Sequence, residues 1–176
     1  MSKNHATNLF PVLLGILKDN SDEVVLQGLE VLAEIIKSTK EQGTDFNAAK
    51  YREFLESLLK LFHEDKVFLD NRSSTIIRQL CVLLNAEFIY CTFAEILCEK
   101  VDNKFASLMV RTLNMILFTT SELFDLRKSL RNITDPKSAK LFQTLYRSWA
   151  HCPVSTVSLC LLAQCYQHVS DLVVIL

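Results

Sequence analysis

The chain carries six cysteines, at 81, 91, 98, 152, 160 and 165, and four histidines. From these residue types thiolate nucleophiles and zinc sites are built. The densest set is His151, Cys152, Cys160, Cys165 and His168. Cys165 and His168 stand three apart and would share a helix face. A closed zinc site, however, shows ligand pairs two to four residues apart, repeated twice, and that pattern is missing. No local signature accompanies any Cys–His pair that would mark a nucleophile. The three glycines stand alone at 15, 28 and 43, so no glycine-rich phosphate loop exists. The expectation is a non-enzyme with no catalytic residue, no metal and no cofactor, its cysteines serving as small buried thiols.

Two further clusters suit binding better than chemistry. Leu141, Phe142, Leu145, Tyr146, Arg147 and Trp149 form the densest aromatic patch. Leu141, Leu145 and Trp149 recur at four-residue spacing, which reads as a core stripe. Trp, Tyr and Arg also dominate interface hot spots. Tyr146, Arg147 and Trp149 are therefore candidate partner-interface residues, Tyr146 and Arg147 being the more exposed. Arg127, Lys128, Arg131, Lys137 and Lys140 place five cations within 14 positions. Such a run meets an anionic lipid or an acidic partner, or is a solvated helix edge. Arg127, Lys128 and Arg131 join the candidate interface. The apolar end Val174-Ile175-Leu176 has the chemistry to add a strand to a PDZ-type domain, or is the cut end of a longer chain.

The elements that must hold these residues are helical. Hydrophobic residues make up 49% of the 176 positions, and 19 Lys+Arg nearly balance 20 Asp+Glu. That excludes disorder, and it leaves no net positive charge for nucleic acid. Three glycines and three prolines cannot supply the turns of a β-sandwich. Residues 148–170 contain no Asp, Glu, Lys or Arg, yet Trp149, His151, Gln164, Gln167 and His168 make them too polar for a membrane span. Six thiols and a polar start point to a reducing, cytoplasmic setting.

Apolar residues repeat at helical spacing along the whole chain. Val25, Leu29, Leu32, Ala33 and Ile36 form one stripe; Tyr51, Phe54, Leu55, Leu58, Leu59 and Phe62 form another. His63 to Asn71 reads as a break, with Asn71 or Ser73 capping the next helix. Asp102, Ser121 and Asp135-Pro136 read as further starts, and Leu123, Phe124, Leu126 and Leu130 as one inward stripe. The expectation is an all-α chain of about nine to ten helices, with residues 38–47 as a polar linker. Alternate helices start near 7, 48, 86, 121 and 153. That spacing predicts one segment, residues 1–176, built as an α-solenoid of antiparallel helix pairs of the HEAT or armadillo kind.

Particular strings carry a resemblance. Ile76-Ile-Arg-Gln-Leu-Cys-Val-Leu-Leu-Asn-Ala86 and Leu141-Phe-Gln-Thr-Leu-Tyr-Arg-Ser-Trp-Ala-His-Cys-Pro-Val-Ser-Thr-Val-Ser-Leu-Cys-Leu-Leu162 resemble the Vac-fourteen family. Asp19 to Glu34 and Lys104 to Val110 support it. The family is the HEAT-repeat scaffold of the PIKfyve lipid-kinase complex. The resemblance implies a non-catalytic organiser of phosphatidylinositol 3,5-bisphosphate synthesis and turnover. It implies a PIKfyve-type kinase and a Sac-domain phosphatase as partners, self-association, and indirect, peripheral attachment to endosome and lysosome (vacuole) membranes. Family members are several times longer, so this chain reads as a fragment, a truncated isoform or an incomplete gene product. The alternative reading is a generic armadillo-like adaptor that binds peptides.

Overall fold

The periodic stripes become ten α-helices and no strand among the described residues, which are 9–40, 45–99 and 102–175 of a computed structural model. They group into two compact units, one ending at Leu84 and the other starting at Asn85. Each unit is described separately.

The first unit contains α1 (Leu9–Ile16), α2 (Asp22–Lys40), α3 (Asp45–Glu64) and α4 (Lys66–Leu83). The stripes of α2 and α3 expected from the spacing are buried in full. Val12, placed by its spacing among the apolar positions of α1, is instead 62% exposed; α1 is a short helix whose inward side is met by Leu13 and Leu17. A Cβ on Gly28 would lie 2.7 Å from Ile16 Cγ2, so this glycine permits the close approach of α1 to α2. The polar stretch 38–47 is helical at both ends, since α2 runs through Lys40 and α3 begins at Asp45. Its centre, 41–44, lies outside the described residues.

The break expected between His63 and Asn71 is one residue long. Asp65 alone separates α3 from α4; its Oδ1 accepts the Phe68 N–H at 2.9 Å and caps α4. Phe68 and Leu69, inside the expected loop, are buried, and the Phe68 ring stacks on Phe62 with centroids 5.4 Å apart. These apolar contacts outweigh the polar composition around them. Arg72 then ties α4 to the α1–α2 turn: its Nη2 donates to the carbonyls of Asp19 and Asn20, at 2.9 and 2.8 Å, and its Nη1 pairs with Asp22. Arg72, in the second turn of α4, thus holds the start of α2 against α4, and the two helices pack on each other.

The second unit contains α5 (Ala86–Glu99), α6 (Asn103–Thr119), a one-turn 3-10 helix (Ser121–Leu123) running into α7 (Phe124–Arg131), α8 (Pro136–Trp149), α9 (Pro153–Leu162) and α10 (Tyr166–Ile175). Two of the three expected starts, Asp102 and Asp135, are side-chain caps; Ser121 is not, since it is the first residue of the 3-10 helix and its hydroxyl donates to Glu122 Oε2. Asp102 accepts the N–H groups of Lys104 and Phe105, and Asp135 accepts that of Ser138, with Pro136 in the first turn. Phe124 departs from its expected inward stripe at 63% exposed, because α7 is only eight residues long and buries Leu126 and Leu130.

Stacking in this unit differs from a simple succession of pairs. α5 packs chiefly on α8, three helices later, rather than on α7. Glu87 in the first turn of α5 pairs with Lys137 in the first turn of α8, at 3.3 Å. Cys98, near the end of α5, feels the charge of Arg147, near the end of α8. Both helices therefore run the same way. α6 packs on both α8 and α9. The short α7 cannot offer α5 enough apolar length, and α8 takes its place.

Candidate functional site

The sequence singled out six residues, and the structure sorts them into three groups. Trp149 belongs to the core. It is 0% exposed, its Nε1–H donates to Asn114 Oδ1 at 3.1 Å, and its ring lies 6.3 Å from that of Tyr90. The Tyr90 hydroxyl donates to the Leu113 carbonyl at 3.0 Å, and the Thr156 hydroxyl donates to the Trp149 carbonyl at 2.7 Å. One residue thus joins α5, α6, α8 and α9, its ring and indole N–H reaching α5 and α6 and its carbonyl α9. Its expected place on a partner interface is corrected: a large indole with a reachable acceptor gains more from burial than from water, by about 1.5–3 kcal/mol for a side chain of this kind.

Arg127 is also committed inside the unit. Its Nη1 donates to the carbonyls of Leu117 and Thr120, at 2.7 and 2.6 Å. These are among the last carbonyls of α6, which have no acceptor duty left within the helix, so the guanidinium acts as its C-terminal cap. Lys128 and Arg131 are exposed in the last turn of α7, where cations favour the helix dipole.

Tyr146 and Arg147 remain on the surface. Together with Lys140, Phe142, Gln143 and Thr144 they line an open hollow of about 470 Å³ on the outer face of α8. Phe142 and Tyr146 are half-buried, with ring centroids 5.7 Å apart. The Tyr146 hydroxyl lies 2.8 Å from His168 Nε2, and the two rings are 5.5 Å apart. Periodicity carried no sign of His168 here, because it arrives from α10 across 22 residues. Burial of the Tyr146 hydroxyl, with a smaller effect from the nearby Cys160 thiol, holds its pKa above the ordinary tyrosine value.

The α8 cations also have an acidic counterpart that the sequence reading passed over. Burial pushes the Cys91 thiol up to about 11; Glu87 and Glu95 add to the shift, and Lys140 opposes it. Cys98 is raised by burial, with Arg147 pulling it down and Glu99 pushing it up. Glu87 pairs with Lys137, and Lys140 and Arg147 lie within electrostatic reach of α5, so the α8 part of the basic run borders a helix that carries carboxylates.

The thiols of Cys81, Cys152 and Cys160 are buried. Burial raises Cys81 to about 12 and Cys160 to about 11. At Cys152 burial pushes the thiol up, but hydrogen bonding from the Ser155 hydroxyl and backbone N–H and the Arg111 guanidinium more than offset it, and the pKa falls below the ordinary value. That thiol is nevertheless buried, at the head of α9. Among the described residues no three His, Cys, Asp or Glu side chains are grouped to hold a metal ion, and no helix is long and apolar enough to cross a membrane.

With this geometry in place, known proteins supply the family. Residues 66–176, from α4 to the end of the chain, match the family described as vacuolar protein 14 C-terminal Fig4p binding. The chain belongs to the Vac-fourteen family. A VAC14 homolog of Schizosaccharomyces pombe is 44% identical over 164 residues, covering 93% of this chain and 19% of that protein. A VAC14 homolog of Arabidopsis thaliana is 40% identical over 164 residues, covering 93% of this chain and 21% of its own length. The vacuole morphology and inheritance protein 14 of Saccharomyces cerevisiae is 31% identical over 163 residues. The chain therefore spans about a fifth of the length of these curated relatives. No solved structure gives a significant match.

Proposed function

We propose that this chain is a non-catalytic scaffold segment that binds a Sac-domain phosphoinositide phosphatase, and that its surface contact includes Tyr146 and Arg147. One observation carries the reading: the family that matches residues 66–176 is described by its binding of Fig4p, and these residues include the exposed hollow on α8. A protein that brings partners together needs an ordered surface rather than a reactive centre. The hollow supplies an aromatic pair, two cations and an amide of the kind enriched in interface hot spots.

Within the longer proteins of the family, the same scaffold would hold a PIKfyve-type lipid kinase beside the phosphatase, so that synthesis and removal of phosphatidylinositol 3,5-bisphosphate are governed in one assembly. Self-association and a peripheral position on endosome, lysosome or vacuole membranes belong to this proposal. The α5 carboxylates beside the α8 cations favour attachment through protein partners over direct lipid binding. The family match favours this reading over a generic armadillo-like adaptor.

Affinity capture tests it. The tagged 176-residue chain should retain the phosphatase from a lysate and in a purified two-component mixture. Failure to retain it in the purified mixture, with the chain folded, would overturn the proposal.

A further inference from the structure

The two flanks of α8 are built alike but occupied differently. Toward α5, an apolar seam is bordered by the Glu87–Lys137 pair. At 100° per residue, Ala139, Phe142, Gln143, Tyr146 and Ala150 fall on a second stripe, on the side turned away from Lys137. Their spacing is i, i+3, i+4, i+7 and i+11, the pattern by which one helix receives another. Small residues stand at both ends of the stripe and two half-buried rings in the middle. Lys140 and Arg147, seven residues or two turns apart, line the hollow, and His168 of α10 contacts Tyr146.

We infer that this outer stripe of α8 is a groove for a single amphipathic helix of the phosphatase partner, laid along α8 with its carboxylates toward Lys140 and Arg147. The inference rests on the function proposed above. Charge complementarity selects the occupant. Lys137 already has its carboxylate in Glu87 of α5, whereas Lys140 and Arg147, which border both α5 and the hollow, are exposed at a spacing that carboxylates two turns apart on a second helix would meet. A second copy of this chain, docked about a two-fold axis through α8, would set Lys140 and Arg147 against their own counterparts, which like charge opposes. The volume of about 470 Å³ accommodates a few side chains of a helix. Phe142 and Tyr146 would supply the apolar contact, and Gln143, between the two cations, reads the charge of whatever lies above it.

The test uses the 176-residue chain and the full-length phosphatase, both purified, with binding measured by titration and the melting temperature of every variant taken alongside. Arg147→Glu should weaken binding about tenfold or more. Gln143→Glu should weaken it, whereas Gln143→Lys should leave it unchanged or tighten it. Lys104→Glu, exposed in the first turn of α6 and outside the hollow, should alter it less than about twofold. If the parent chain does not bind, the function proposed above fails and takes the groove with it. If the parent binds and Arg147→Glu and Gln143→Glu bind equally well, the groove alone is overturned. Equal weakening by Gln143→Glu and Gln143→Lys would overturn the carboxylate-bearing helix in favour of an uncharged occupant. A concentration-dependent dimer lost on Arg147→Glu, or binding to anionic vesicles lost on the same change, would replace the phosphatase helix with a second copy or a membrane.

Discussion

Arg127 and Arg147 lie twenty residues apart in the same unit and carry the same guanidinium, yet they perform different work. Arg127 turns inward at the end of α6 and spends its donors on the carbonyls of Leu117 and Thr120. Arg147 stands outward on α8 and rims an open hollow. The difference lies in what surrounds each cation. α6 ends two turns before Arg127 and presents its last carbonyls to it, while Arg147 borders an aromatic pair, the Cys98 end of α5 and solvent. A cluster of basic residues in a sequence therefore does not announce a surface; part of it can be hardware of the fold.

This comparison can be broken or sharpened at four positions. The largest expected effect is at Trp149. Trp149→Ala should cost about 3–5 kcal/mol, since it empties a fully buried site that joins four helices. Thermal or urea unfolding would show it. A variant that melts normally but loses its partner would put the indole back on the interface. Next comes Arg127→Met, which keeps the aliphatic stem, takes the guanidinium donor from the Leu117 carbonyl and leaves the Thr120 carbonyl only the Leu123 N–H. A loss of about 1.5–3 kcal/mol in urea unfolding is expected, with partner affinity little changed. The reverse outcome would erase the contrast with Arg147.

Ser148 offers an effect of the opposite sign. Its hydroxyl is buried with no hydrogen-bond partner. Ser148→Ala should therefore raise stability by about 1 kcal/mol, removing an unsatisfied group and improving helix propensity. An unchanged or lowered denaturation midpoint would mean that the hydroxyl has a partner in solution. The smallest stability effect is at Arg147, where Arg147→Glu should shift unfolding by less than about 0.5 kcal/mol. The same variant should slow alkylation of Cys98. Loss of the cation and gain of an anion both raise the thiol pKa, so less thiolate is present at a given pH. An unchanged rate would remove Arg147 from the neighbourhood of α5.

Much of the fold was legible because burial follows period. The stripes of α2 and α3, and Leu141 with Leu145 and Trp149, are core as their spacing requires. Caps at Asp102 and Asp135 were readable because a carboxylate and a proline act locally. What stayed hidden is long-range. No spacing rule says that α5 stacks on α8, or that Arg127 will find the end of α6. The joint at Asp65 was obscured by its polar surroundings, since Val67, 70% exposed, and the charges on either side drown the signal of Phe68 and Leu69. Of the six candidate interface residues, Tyr146 and Arg147 line the hollow, Lys128 and Arg131 stand apart on α7, and Trp149 and Arg127 serve the interior. Phe142 and Gln143 entered the hollow only once the face of α8 was visible, and the contact of His168 with Tyr146 only once α10 was placed.

The Asp65 joint has a mechanical side. One residue between two helices of 20 and 18 residues leaves no slack. A pull that separates α3 from α4 along their axes cannot be absorbed by a lengthening loop; it falls at once on the Asp65–Phe68 hydrogen bond and the Phe62–Phe68 stack. The first unit should therefore yield under tension at a defined point and all at once, behaving as a brittle link rather than an elastic one.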